Sequence, residues 1–163
     1  MTTRIGALEL AHPVMNASGT LDALAARAAG LAVDAELALL VTKTVTPLAR
    51  EGNPAPRVTE AAGGMLNSIG LPNPGLDAFA RTVLPATRAL GRPLVVSLGG
   101  FEHGDYELAC RRLDGEAGIV ALELNVSCPN VKSGCISIGS DPAETEAVVR
   151  LCRAATGLPL WLK

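Results

Sequence analysis

Five short stretches hold the residue types that could do chemistry. They are Ala17-Ser18-Gly19-Thr20, Lys43-Thr44, Ser97-Leu98-Gly99-Gly100, Asn125-Val126-Ser127-Cys128-Pro129-Asn130 and the terminal Lys163. Cys128 is the one reactive candidate. A lone cysteine is usually a small buried apolar residue, but Pro, Asn, Lys and Gly surround this one and argue against an inert burial. His103, its nearest histidine in sequence, has no evident pairing, so a Cys–His nucleophile is unsupported; a cysteine can instead accept a proton. Lys43 and Lys163 supply positive charge for an anionic ligand or a reduced cofactor. A further stretch, Ile69-Gly70-Leu71, offers backbone N–H groups that suit an anion cradle, with Gly70 permitting close approach.

The elements that must position these groups alternate. Leu39–Lys43, Leu94–Leu98 and Ile119–Asn125 are near-continuously apolar, as strands covered on both faces are; Pro13–Ala17 and Pro159–Lys163 are shorter candidates. Helices are expected near 21–30, 75–90 (kinked at Pro85), 104–113 and from Asp141 to about Gly157. The last has Asp141 as N-cap, Pro142 at the first helical position and Glu144 three residues after the cap. Arg4–Leu10 adds a small hairpin. Strand–helix alternation predicts an α/β fold with parallel strands, and in such folds function collects in loops after the carboxyl ends of strands. All five stretches lie there. The segment from Thr46 to Pro74 far exceeds the roughly 2–6 residues of ordinary strand–helix loops and reads as an inserted lid or hairpin.

Composition narrows the classes. The chain has 163 residues, 14 Lys+Arg against 16 Asp+Glu, and a net charge of −2, which excludes a basic nucleic-acid binder. No run approaches the roughly 20 apolar residues that span a bilayer, and the N-terminus has no signal-peptide pattern. Cys110, Cys128, Cys135 and Cys152 form no CxxC pair, so neither a disulfide framework, a zinc site nor an iron–sulfur cluster is expected on this chain, and reduced thiols fit the cytoplasm. Cys110 and Cys152 read as helix-packing residues; Cys135 is ambiguous. There is no GxGxxG.

The stretches Asn16-Ala-Ser-Gly19, Thr42-Lys-Thr44, Gly52-Asn-Pro-Ala-Pro-Arg57, Gly64-Met-Leu-Asn-Ser-Ile-Gly-Leu-Pro-Asn-Pro-Gly75 and Glu123-Leu-Asn-Val-Ser-Cys-Pro-Asn-Val-Lys132 together resemble the class 1 dihydroorotate dehydrogenases, most closely the catalytic subunit of the NAD-linked, two-subunit type. The resemblance runs through the whole chain in order. It implies that residues 1–163 are the N-terminal portion of a single (βα)8 barrel domain, which carries FMN at its carboxyl-end mouth and oxidises (S)-dihydroorotate to orotate in pyrimidine biosynthesis. It implies Cys128 as the base, Lys43, Asn67, Ser68, Ile69, Gly70, Leu71, Asn125 and Asn130 as substrate contacts, and Ala17, Ser18, Lys43, Thr44, Ser97, Asn125 and Lys163 as FMN contacts. It also implies a homodimer and a partner subunit bearing FAD and a 2Fe-2S cluster.

Three departures accompany it. Ser97 stands where the family often has asparagine, and Cys135 where a second glycine is usual. A (βα)8 barrel takes about 250 residues, so the chain is expected to hold about the first five strands, without strands six to eight and their phosphate loops. The alternatives are an inactive truncated fragment, or another pyrimidine-handling flavin barrel such as dihydropyrimidine dehydrogenase.

Overall fold

The computed structural model describes residues 2–127, 129–130 and 136–163, with residues 129, 130, 136 and 137 described by backbone alone. The chain opens with the antiparallel hairpin β1 (Thr3–Ile5) and β2 (Leu8–Leu10). Helix α1 (Ala23–Ala28) follows, capped by Asp22, whose Oδ1 accepts from the Leu24 and Ala25 N–H groups at 2.9 and 3.0 Å. After β3 (Leu40–Val41) comes the exposed antiparallel pair β4 (Val58–Ala61) and β5 (Gly64–Asn67), the hairpin expected within the long 46–74 segment. Then come α2 (Leu76–Ala78), a π turn (Phe79–Val83) and α3 (Leu84–Arg88), β6 (Leu94–Leu98), α4 (His103–Leu113) and β7 (Ile119–Leu124). The short pair β8 (Pro129–Asn130) and β9 (Ile136–Ser137), α5 (Pro142–Ala155) and β10 (Leu160–Leu162) complete the chain.

Four strands form one parallel sheet in the order β3-β6-β7-β10, which is also their chain order. A sheet that advances one neighbour at a time, always with the same crossover hand, places its helices on one face. The two cores match that geometry. Leu40, Leu94, Val96, Leu98, Leu122 and Leu124 pack with Phe79, Leu84, Tyr106, Leu113 and Val148 from the helices. The alternate residues Leu39, Val41, Val95 and Ala121 turn to the other face, where Leu10, Ile5 and Leu8 of the hairpin and Trp161 pack against them. No helix among the described residues is long and apolar enough to cross a membrane.

The structure corrects several expectations. Residues 13–17 form no strand. The Asn16 carboxamide takes the place of ladder rungs: its Nδ2 donates to the Val41 carbonyl at 2.7 Å and its Oδ1 accepts from the Val41 N–H at 2.8 Å, while the Ala38 N–H donates to the Val14 carbonyl at 2.9 Å. Strand β3 is shorter than 39–43, because the Thr42 hydroxyl accepts the Ser97 N–H at 3.2 Å; pairing resumes in the bridge between Val45 and Leu98. The kink expected at Pro85 is the π turn just before it, where proline's missing N–H leaves the α ladder incomplete. Asp141 caps α5 as expected, but Glu144 closes no capping box; its carboxylate meets His103 Nε2 at 2.7 Å, so His103 does have a partner. Cys110 and Cys152 are fully buried between α4 and α5, where the hydrogen bond between the two thiols, together with burial, pushes the Cys110 thiol up.

Candidate functional site

At the carboxyl ends of β3, β6 and β7, three expected residues join one hydrogen-bonded chain. The Asn125 Nδ2 donates to Thr44 Oγ1 at 3.2 Å, and Thr44 Oγ1 and Ser97 Oγ lie 2.9 Å apart. All three are buried. The Asn125 Oδ1 accepts from the Ser127 hydroxyl at 2.6 Å and its N–H at 3.3 Å. From the helix layer, the buried Tyr106 hydroxyl donates to the Asn125 carbonyl at 2.8 Å, fixing the backbone from which the amide projects. Ser97 therefore has a polar partner in Thr44 Oγ1.

Lys163 lies beside Asn125 across the β7–β10 pair: its N–H donates to the Leu124 carbonyl at 3.0 Å, and its carbonyl accepts from the Val126 N–H at 3.0 Å. Its ammonium donates to Ser18 Oγ and stands 3.6 Å from Glu123 Oε1. Ser18 is thereby tied to the sheet, while Ala17 lies exposed in the same turn, its carbonyl accepting from Thr20. Lys43 is half-buried, and its Nζ has no partner among the described residues; a Cβ on Gly19 would come within 3.2 Å of that nitrogen.

The loop after β5 is braced from behind. Asn73 Oδ1 accepts from the Thr46 and Gly75 N–H groups at 3.2 and 2.9 Å, and its Nδ2 donates to Thr46 Oγ1 and the Leu71 carbonyl, each at 2.9 Å. The Asn53 N–H donates to the Ile69 carbonyl at 3.0 Å, and Asn53 Nδ2 to Ser68 Oγ at 2.7 Å. Arg50 donates from Nε to the Gly70 carbonyl at 3.3 Å, with its guanidinium 4.6 Å from the Phe101 ring centroid. Gly70 and Leu71 both have positive φ, 78° and 54°. Every carbonyl from Ser68 to Leu71 is engaged from this side, and the N–H groups of Ile69, Gly70 and Leu71 donate to nothing among the described residues. Donors left free in a loop held by its acceptors suit an anionic ligand.

Thr44, Ser97 and Asn125 are thus brought together, Lys163 is joined to Ser18, and Lys43 is set against Gly19. Asn67, at the exposed end of β5, makes no side-chain contact with them. Cys128 and Cys135 lie outside the described residues, and Asn130 is described by its backbone alone, in β8. Sequence reasoning missed Glu123, Tyr106, Asn73 and Asn16. Glu123 had a readable signal: it is the one carboxylate in the apolar run Ile119–Leu124, two residues from Asn125 and hence on its face.

The sequence model of the family described as dihydroorotate dehydrogenase matches residues 1–163. Curated relatives named "Dihydroorotate dehydrogenase B (NAD(+)), catalytic subunit" include one from Desulforudis audaxviator, 46% identical over 98% of this chain and 52% of that protein. Others are from Trichlorobacter lovleyi, 43% identical, and Alkaliphilus metalliredigens, 40% identical, each covering 100% of this chain and 53% of its own length. The chain spans about half the length of the curated relatives it matches. Since the family match covers every strand end and loop described above, the chain belongs to the dihydroorotate dehydrogenase family.

Proposed function

We propose that the four parallel strands, with residues 13–17 in the position of a first strand, belong to a (βα)8 barrel domain. The complete protein that contains them oxidises (S)-dihydroorotate to orotate with FMN. The observation that carries the reading is the hydrogen-bonded chain Thr44–Ser97–Asn125 at the carboxyl ends of the strands, with Lys163 beside Asn125 and the Lys43 ammonium without a partner among the described residues. These groups fit the cofactor and substrate: two ammonium groups for anionic partners, hydroxyls and an amide for polar ring edges, and N–H groups at Ile69–Leu71, without an acceptor among the described residues, for a carboxylate. Ala17, Ser18, Lys43, Thr44, Ser97, Asn125 and Lys163 would hold FMN, which when bound supplies the hydride acceptor for the C6 hydrogen of the substrate.

The remaining work belongs to the chain's own residues. Lys43, Asn67, Ser68, the 69–71 backbone, Asn125 and Asn130 bind the substrate and orient its C5–C6 bond. Cys128, four residues after the end of β7 in sequence, takes the C5 proton at its sulfur as the C5=C6 bond of orotate forms. A thiol with an ordinary pKa of about 8.5 does this only as thiolate, so turnover rises with pH. In this reading the protein is a cytoplasmic homodimer. Electrons would pass to NAD through a separate subunit, a reading that the printed words "NAD(+)" and "catalytic subunit" in the relatives' names support; that subunit would carry FAD and a 2Fe-2S cluster.

The test is purification of the full-length product of the gene encoding this chain. It is expected to carry FMN and to reduce an artificial dye with dihydroorotate, but not NAD without its partner. A colourless protein inert towards dihydroorotate would overturn the reading; preference for dihydrouracil would favour a dihydropyrimidine dehydrogenase activity.

A further inference from the structure

Glu123 sits in the middle of the sheet, with Ser97 of β6 and Trp161 of β10 as its register partners. It is 8% exposed, and its Oε1 accepts no hydrogen bond among the described residues. A buried carboxylate left alone is costly, and hydrogen bonds or a cation must offset its desolvation. The cation at hand is Lys163, whose Nζ lies 3.6 Å from Oε1 while also donating to Ser18 Oγ. The ammonium is thus held at two points, by a carboxylate deeper in the sheet and by a hydroxyl of the turn beside the mouth. Lys43, the other mouth lysine, has no such counter-ion among the described residues.

We propose that Glu123 is a positioning residue: it fixes the Lys163 ammonium for the anionic flavin at the mouth and cancels part of its charge. This rests on the functional reading above. A lysine placed by a buried carboxylate presents its remaining protons in one direction. Without the lysine, the same carboxylate becomes a bare negative charge facing an anionic ligand.

The experiment is a double-substitution cycle in the full-length protein, with Glu123→Gln, Lys163→Met and both together. It reads FMN dissociation constants by flavin fluorescence and unfolding midpoints of the flavin-free forms. Lys163→Met is expected to weaken FMN binding at least tenfold, and adding Glu123→Gln to it to regain at least threefold, whereas Glu123→Gln alone weakens binding. The same change of sign is expected in the flavin-free midpoints. Should Lys163→Met fail to fold, folding of the double variant upholds the pairing; failure of both, with Glu123→Gln folded, overturns it. An FMN-binding wild type in which Glu123→Gln acts by the same factor, within twofold, in both backgrounds overturns this inference alone. A wild type that binds no FMN overturns the functional reading, and this inference with it.

Discussion

Gly70→Ala tests the loop whose N–H groups have no acceptor among the described residues. Gly70 has φ +78°, a conformation that costs an L residue about 1–2 kcal/mol. A Cβ there would also lie 2.5 Å from the Asn53 backbone nitrogen and 2.6 Å from its Oδ1. Asn53 cannot step aside freely, because its N–H holds the Ile69 carbonyl and its side chain holds Ser68 Oγ. Relieving the overlap breaks both bonds, at about 0.5–1.5 kcal/mol each. The total is about 2–5 kcal/mol. Gly63 is the control: its φ is +77° and a Cβ there would meet nothing within 4 Å, so Gly63→Ala costs only the about 1–2 kcal/mol of backbone strain. Urea unfolding of both variants in the full-length protein, with orotate titrated by its perturbation of the flavin spectrum, reads the two effects. Gly70→Ala is expected to be the less stable and to lose orotate affinity about tenfold or more, from about 1.4 kcal/mol of misplaced N–H groups; Gly63→Ala keeps wild-type affinity. Equal stability and equal orotate affinity in the two variants would refute the argument.

Lys43→Ala is expected to weaken orotate binding by about 1.5–3 kcal/mol, the worth of a charge-assisted bond, in a direct titration. Asn67→Ala is expected to weaken orotate while the flavin content of the purified protein stays unchanged. Cys128→Ser is expected to retain FMN and lose most turnover at neutral pH, which steady-state assays across pH will check. Away from the site, the Arg27 guanidinium holds the buried Asp34 carboxyl below the usual carboxylate range through a bidentate pair at 2.7 and 2.8 Å. A depressed folded pKa gives stability above the unfolded value of about 3.9 and loses it as pH falls through the folded value. Asp34→Asn is therefore expected to lower the unfolding midpoint at neutral pH, with the gap to wild type closing in acid.

The strands that the sequence made legible are those whose apolar runs are continuous, Leu94–Leu98 and Ile119–Leu124, because both faces are covered. Residues 13–17 misled because strand composition does not reveal which backbone groups will pair; a side-chain amide from Asn16 satisfied the neighbouring backbone instead. The polar strand ends were readable from the loop rule, and Thr44, Ser97 and Asn125 do meet. Tyr106 was not readable, since its role depends on the packing of α4 against the sheet, which brings one hydroxyl to the Asn125 carbonyl. Asn73 left a fainter trace in Pro72-Asn73-Pro74-Gly75, a sequence that favours a side-chain-closed turn without saying that Thr46 will be its partner.

In the proposed function, the carboxyl ends of these strands form the site at which dihydroorotate is oxidised. Anaerobic mixing of (S)-dihydroorotate with the oxidised full-length protein tests it in one turnover. The visible flavin band is expected to bleach as one equivalent of orotate forms per flavin, and Cys128→Ser to slow this step while leaving the band present at the start. A flavin that stays oxidised under dihydroorotate, or that bleaches equally fast in wild type and Cys128→Ser, would contradict it.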